Sequence, residues 1–126
     1  MTNARRAAGV HDGPAARLFL RVIFADGERI GPGKIDVLEA IGREHSISAA
    51  ARALGMSYRR AWLLLDAMNK MFRQPVIVTR PGRAAGGSAE VTPFGNRVVR
   101  LYRDAERRAN RECATAMRAL TAERSE

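Results

Sequence analysis

Between Ser57 and Phe72 the apolar positions fall three and four apart. Ala61, Leu65, Met68 and Phe72 form one stripe, flanked by Leu64 and Trp62, while Arg59, Leu63, Asp66 and Lys70 lie on the opposite face. That spacing predicts an amphipathic helix. Just before it the chain reads SISAAARAL from Ser46, a second helix built from small residues that let a neighbour cross closely. Ser46 or Ser48 can cap it, because a serine oxygen accepts from a backbone N–H that has no partner inside the helix. Gly55 ends it, since glycine takes the left-handed conformation without steric cost, and Ser57 can cap the helix that follows. A helix, a short glycine-bearing turn and a second helix make a helix-turn-helix. The plainer alternative is an αα-hairpin that only packs.

The flanking pattern extends this unit on both sides. Arg17 to Phe24 alternates and is rich in β-branched and aromatic residues. Asp26-Gly27 is a hairpin turn signal, and Arg29–Ile30 returns as a short strand. After Gly31-Pro32-Gly33, Lys34 to Glu44 carries Ile35, Leu38 and Ile41 on one helical face, with Val37 beside it. Pro75 closes the second helix of the motif. Val76 to Thr79 and Glu90 to Thr92 read as strands around the loop RPGRAAGGS. A hairpin there makes a wing; the alternative is an ordinary loop whose glycines serve only the turn. Thr92-Pro93 starts a last helix, threonine as cap and proline at the first helical position. It is expected to run unbroken to about Leu120.

The expected fold class is therefore mainly α with small β-hairpins: a winged helix-turn-helix plus a long C-terminal dimerisation helix. The organisation is a flexible arm over 1–16, the winged unit over 17–92, and the C-terminal helix and tail over 93–126. Along the last helix Val98, Tyr102, Ala105, Ala109, Cys113, Ala116 and Leu120 form a narrow seam of mostly small residues. A seam with no core left to cover suits a partner helix, so a homodimer is expected, against a helix that folds back on its own domain. Arg100, Arg103, Arg107, Arg108 and Arg111 read as a mostly solvated face.

Charge adds a partner class. The chain has 126 residues, with 22 Lys and Arg against 13 Asp and Glu, a net of +9. A surplus of that sign suits a polyanion, because neutralised phosphates release condensed counterions. Twenty of the 22 basic residues are arginine, the better bidentate donor to phosphate and guanine, although a genomic bias toward Arg and Ala gives the same count. The expected partner is double-stranded DNA. In a helix-turn-helix the second helix enters the major groove and its first residues meet base edges. The candidate DNA-binding residues are Ser46, Ser48, Ser57, Tyr58, Arg59, Arg60, Leu63 and Lys70, with Arg80, Arg83 and Gly86 from the wing. Arg5 and Arg6 of the arm read as solvated, with a phosphate contact as the alternative.

Other chemistry finds no support. The single cysteine, Cys113, allows no intrachain disulfide. His11 and His45 have no Cys or carboxylate at ligand spacing, so no metal is expected. No nucleophile-and-base pair and no phosphate-cradling loop appears, so neither an enzyme nor a cofactor is expected. No run approaches the ~18 apolar residues of a transmembrane helix and no secretory leader is evident; the expectation is a cytoplasmic protein without a membrane partner.

The order hairpin, helix, SISAAARALGMSYRRAWLLLDAMN, wing, VTPFG, long helix resembles the N-terminal winged-helix domain of the ModE family of molybdate-responsive regulators. It is similar, more distantly, to LysR-type DNA-binding domains. The resemblance covers roughly Arg17 to Leu120, and MSYRRAW and VTPFG are its specific parts. It implies a homodimeric transcription regulator on a roughly palindromic operator. By resemblance Ser57, Tyr58, Arg59 and Arg60 begin the recognition helix, Arg83 and Gly86 lie on the wing, and the last helix is the dimer linker. The chain departs from the family in two ways. No molybdate-binding region of β-barrel modules follows before Glu126, and the wing has Ala84 and Ala85 where the family is richer in glycine. Two other readings remain open: an architectural DNA-binding protein with little sequence preference, and a DNA-binding subunit that joins a separate sensor chain through its last helix.

Overall fold

The computed structural model describes residues 16–81 and 88–125. Five helices and two antiparallel hairpins are present among them. They are β1 (Val22–Ile23), β2 (Arg29–Ile30), α1 (Pro32–Glu44), α2 (Ile47–Leu54), α3 (Tyr58–Met71), β3 (Ile77–Arg80), β4 (Ser88–Val91), α4 (Pro93–Glu112) and α5 (Ala114–Ala122). The architecture is a winged-helix fold: α1, α2 and α3 around one core, with the β3–β4 wing behind α3. By their contacts the described residues divide into two units, one within 19–106 and one of 16–18 with 107–125.

In the larger unit local chemistry sets each boundary. Pro32 stands in the first turn of α1, and His45 closes that helix in the left-handed conformation at φ 61°, its N–H donating to the Ile41 carbonyl. His is among the few non-glycine residues that tolerate this region. Ser46 Oγ accepts from Ala49 N–H at 2.9 Å and starts α2. Gly55, at φ 69°, ends it, and Met56 N–H donates back to the Ala51 carbonyl. Ser57 Oγ then accepts from Arg60 N–H at 3.0 Å and starts α3.

The small residues of α2 let the helices close on one another. Ala50, Ala51 and Ala61 are buried against Ile35, Leu38 and Ile41 of α1 and Leu65 and Met68 of α3. Truncating a fully buried Leu or Met to alanine costs about 2–5 kcal/mol, so Leu65 and Met68 hold α3 in its place. The wing rests on this core through Val76, Ile77 and Ala89, pairing Ile77 with Val91 through to Arg80 with Ser88. Its foot is tied by specific bonds. Asn69 Oδ1 accepts from Val76 N–H at 2.7 Å, and the Ala89 N–H donates to the His45 carbonyl at 2.9 Å. Thr92 Oγ1 donates to the Pro75 carbonyl and accepts from Gly95 N–H, which caps α4 as well. Gly95 sits so close to β3 that a Cβ there would collide with the Val76 carbonyl oxygen.

Several expectations need correction. The first strand is only Val22–Ile23, not Arg17 to Phe24; with two residues on the returning strand, there is nothing for the rest to pair with. Val98 and Tyr102, expected on a dimer seam, are buried in the core of their own chain, and the Tyr102 hydroxyl donates to the Leu20 carbonyl at 2.7 Å. Arg103, expected in solvent, donates to Asp36, Glu39 and Glu106 at 2.8, 2.9 and 2.8 Å, because two of these carboxylates come from α1 and cannot be seen on the wheel of α4. The Glu39 hydrogen bond, then those of Glu106 and Asp36, raises the Arg103 pKa against the opposing effect of burial, so this guanidinium stays charged. Burial and the nearby Glu106 carboxylate raise the Tyr102 phenol as well.

In the smaller unit, Asn110 Oδ1 accepts from Leu18 N–H at 2.7 Å and its Nδ2 donates to the Leu18 carbonyl at 3.2 Å. The last helix is not continuous to Leu120: it breaks at Cys113, φ −96° and ψ 10°, into α4 and α5. Neither proline nor glycine marks the break, and nothing in the structure explains it. Ala109 and Cys113 are half-buried, while Ala116 and Leu120 are exposed.

Candidate nucleic-acid interface

α3 presents its first turn at an open end of the larger unit. The Ser57 cap fixes where the helix begins, and the buried Ala61–Leu65–Met68 stripe fixes its rotation. Together they turn Tyr58, Arg59 and Arg60 outward, all exposed. No acidic residue stands in that turn. Neither arginine forms an ion pair with another described residue. Leu63 follows on α3 with 45% of its surface open, an unusual position for leucine on a helix that has a core to pack on. Lys70 is held differently. Its ammonium pairs with Asp66 at 2.9 Å, three turns from Arg59 and at the other end of α3, so the structure does not bring it to the cluster.

Beside the first turn lies a cleft of about 300 Å³ where the starts of α2 and α3 meet the wing. Ser46, Ser48, Tyr58 and Arg80, all candidates from the sequence, line it together with Trp62, Thr79 and Pro81. Trp62, at the edge of the core stripe in the sequence, is 44% exposed in the structure and forms a wall of this cleft. The signal was present in the sequence, since Trp62 lies one turn beyond Tyr58 and side chains four apart share a helix face. Thr79 and Pro81 had no comparable signal. Arg83 and Gly86 of the wing lie outside the described residues, as does most of the arm.

Among the described residues, no group of three or more His, Cys, Asp or Glu side chains is placed to hold a metal ion. No helix among them is long and apolar enough to cross a membrane.

Known proteins resemble this chain over 80 to 99 of its residues. It is 42% identical over 99 residues to the molybdenum-pterin-binding protein MopB of Rhodobacter capsulatus, covering 79% of the chain and 36% of that protein. It is 39% identical over 80 residues to the molybdenum transport protein ModE of Azotobacter vinelandii, covering 64% of the chain and 30% of that protein. It is 34% identical over 80 residues to the DNA-binding transcriptional dual regulator ModE of Escherichia coli K12, covering 64% of the chain and 29% of that protein. The homology lies in the N-terminal part of these relatives, and the chain spans about a third of their length. No family model matches the chain. Among solved structures, the CbnR DNA-binding domain in complex with DNA superposes with a TM-score of 0.52 at 20% identity, covering 73% of this chain and 97% of that one. At that identity the likeness concerns the fold.

Proposed function

We propose that this chain is a sequence-specific, DNA-binding transcription regulator of the ModE N-terminal type, which binds a palindromic operator as a homodimer. The observation that carries this reading is the first turn of α3. Two arginines that form no ion pair with another described residue, Arg59 and Arg60, project from a capped, core-anchored helix beside a wing. A guanidinium with free donors suits guanine O6 and N7 in the major groove. Ser46, Ser48, Ser57, Tyr58 and Leu63 border the same face, and Arg80 extends it onto the wing. Homology to ModE of Escherichia coli K12, described as a DNA-binding transcriptional dual regulator, supports the same reading, as does the net charge of +9. The role is binding, not catalysis, and its place is the cytoplasm.

The homodimer rests on what remains of the seam after Val98 and Tyr102 are assigned to the core: Ala105, Ala109, Cys113, Ala116 and Leu120. The exposed Leu120 is its most apolar member. A two-fold dimer places half-sites about 10–10.5 base pairs apart, or a multiple of that. Partnership with a separate sensor chain uses the same helices.

The test is selection of fragmented genomic DNA on the purified protein, with and without molybdate, followed by sequencing. A recovered motif with two-fold symmetry supports the regulator, and a change with molybdate adds sensing. Uniform recovery of fragments overturns sequence specificity in favour of an architectural binder.

A further inference from the structure

The cleft between α2, α3 and the wing has a chemistry that narrows its occupant. Its walls carry the Arg80 guanidinium and the hydroxyls of Ser46, Ser48, Tyr58 and Thr79, and among the described residues no carboxylate or side-chain amide lines it. Hydroxyls and a guanidinium suit phosphate oxygens. The fork of donor and acceptor that reads adenine, supplied by Asn or Gln, is missing from its described lining. Ser46 Oγ already accepts from Ala49 N–H, which leaves its O–H to donate outward. The side chains of Ser48, Tyr58, Thr79 and Arg80 make no hydrogen bond or ion pair with another described residue. Against this polar rim stands the exposed indole of Trp62. An anion site with a flat apolar wall beside it matches a unit that is itself half anion and half C–H surface.

We propose that this cleft seats one deoxyribose-phosphate unit of a DNA strand, with the phosphate on Arg80 and the Ser48 and Tyr58 hydroxyls and the sugar packed on Trp62. The proposal rests on the DNA-binding reading above and adds a role to it. Trp62 is a backbone-positioning residue that sets how α3 sits in the groove, while Arg59 and Arg60 are left to the bases.

Trp62 is the one tryptophan of the chain, so its emission reports on this cleft alone. The full chain is titrated with a labelled duplex recovered by selection and with a scrambled one, following label anisotropy and Trp62 emission together. Acrylamide, an uncharged quencher, tests access to the ring. The expected result is that emission changes along the anisotropy isotherm and quenching falls on both duplexes. Anisotropy that reports binding while emission and quenching stay constant overturns the proposal and leaves the DNA-binding reading standing. No anisotropy change with any duplex overturns both. Trp62→Ala is expected to weaken both duplexes alike, by about tenfold, with an unchanged salt slope, because an uncharged contact to the backbone carries no base information and releases no counterion. Arg80→Gln is expected to make the slope shallower by about 1. A Trp62→Ala loss confined to the selected duplex overturns the sugar contact in favour of a base contact. Should Trp62→Ala not fold, the quenching experiment on the unaltered chain decides alone.

Discussion

Arg103 and Arg59 both stand on helix faces that look open in the sequence, yet their surroundings are opposite. Arg103 is surrounded by Asp36, Glu39 and Glu106 and donates to all three; it also lies over the Tyr102 ring, 5.6 Å from its centre. Arg59 and its neighbour Arg60 have no acidic residue in their turn. The difference is one of pairing. A guanidinium whose donors are taken by carboxylates contributes to holding α4 on α1 and has little left for an outside anion. One whose donors face water keeps them for a partner. Net charge alone does not separate the two; geometry does.

The strongest challenge to the comparison is to disturb the scaffold that holds both regions. Gly95→Ala places a methyl group against the Val76 carbonyl, a backbone atom that cannot rotate away. Overpacking costs typically 1–3 kcal/mol, and about 3 kcal/mol is expected here, read as a lower midpoint in denaturant unfolding. A smaller cost belongs to the junction alone. Arg103→Met leaves three carboxylates around a neutral side chain. It should remove about 2–3 kcal/mol, less than for a fully buried pair because Asp36 is half exposed, and lower the melting temperature by about 10 °C. DNA affinity per folded molecule should stay the same. A parallel drop in affinity would mean that the junction takes part in binding.

At the open end the signs reverse. Arg59→Ala should leave melting unchanged and cost about 1–3 kcal/mol on the selected duplex, with a smaller loss on random DNA. An equal loss on both counts against base readout. The smallest effect sharpens the picture locally. Ser57→Ala removes the cap of the turn that carries both arginines and should cost about 1 kcal/mol of stability, measured by thermal unfolding followed by circular dichroism.

Much of the fold was legible because its signals are local. Ser46, Gly55, Ser57 and Asp26-Gly27 act through their own backbone neighbourhoods, and the structure uses each of them where the sequence placed it. What was missed is mostly non-local. Arg103 looks solvated in the sequence because Asp36 and Glu39 lie 67 and 64 residues away. Val98 and Tyr102 looked like part of a long seam because a helical stripe does not say which part faces its own core. Trp62 flanks the stripe in the sequence, and a flanking position on a wheel is buried or open depending on the wing beside it. The break at Cys113 has no residue type that announces it.

The wing's foot is held by groups outside its two strands. Asn69, His45 and Thr92 bind it at Val76, Ala89 and Pro75, so among the described residues these bonds lie below Arg80 and Ser88. The two strands are therefore set from outside themselves, by α3, the end of α1 and the cap of α4, and a substitution at the exposed Arg80 leaves the helices' aim unchanged.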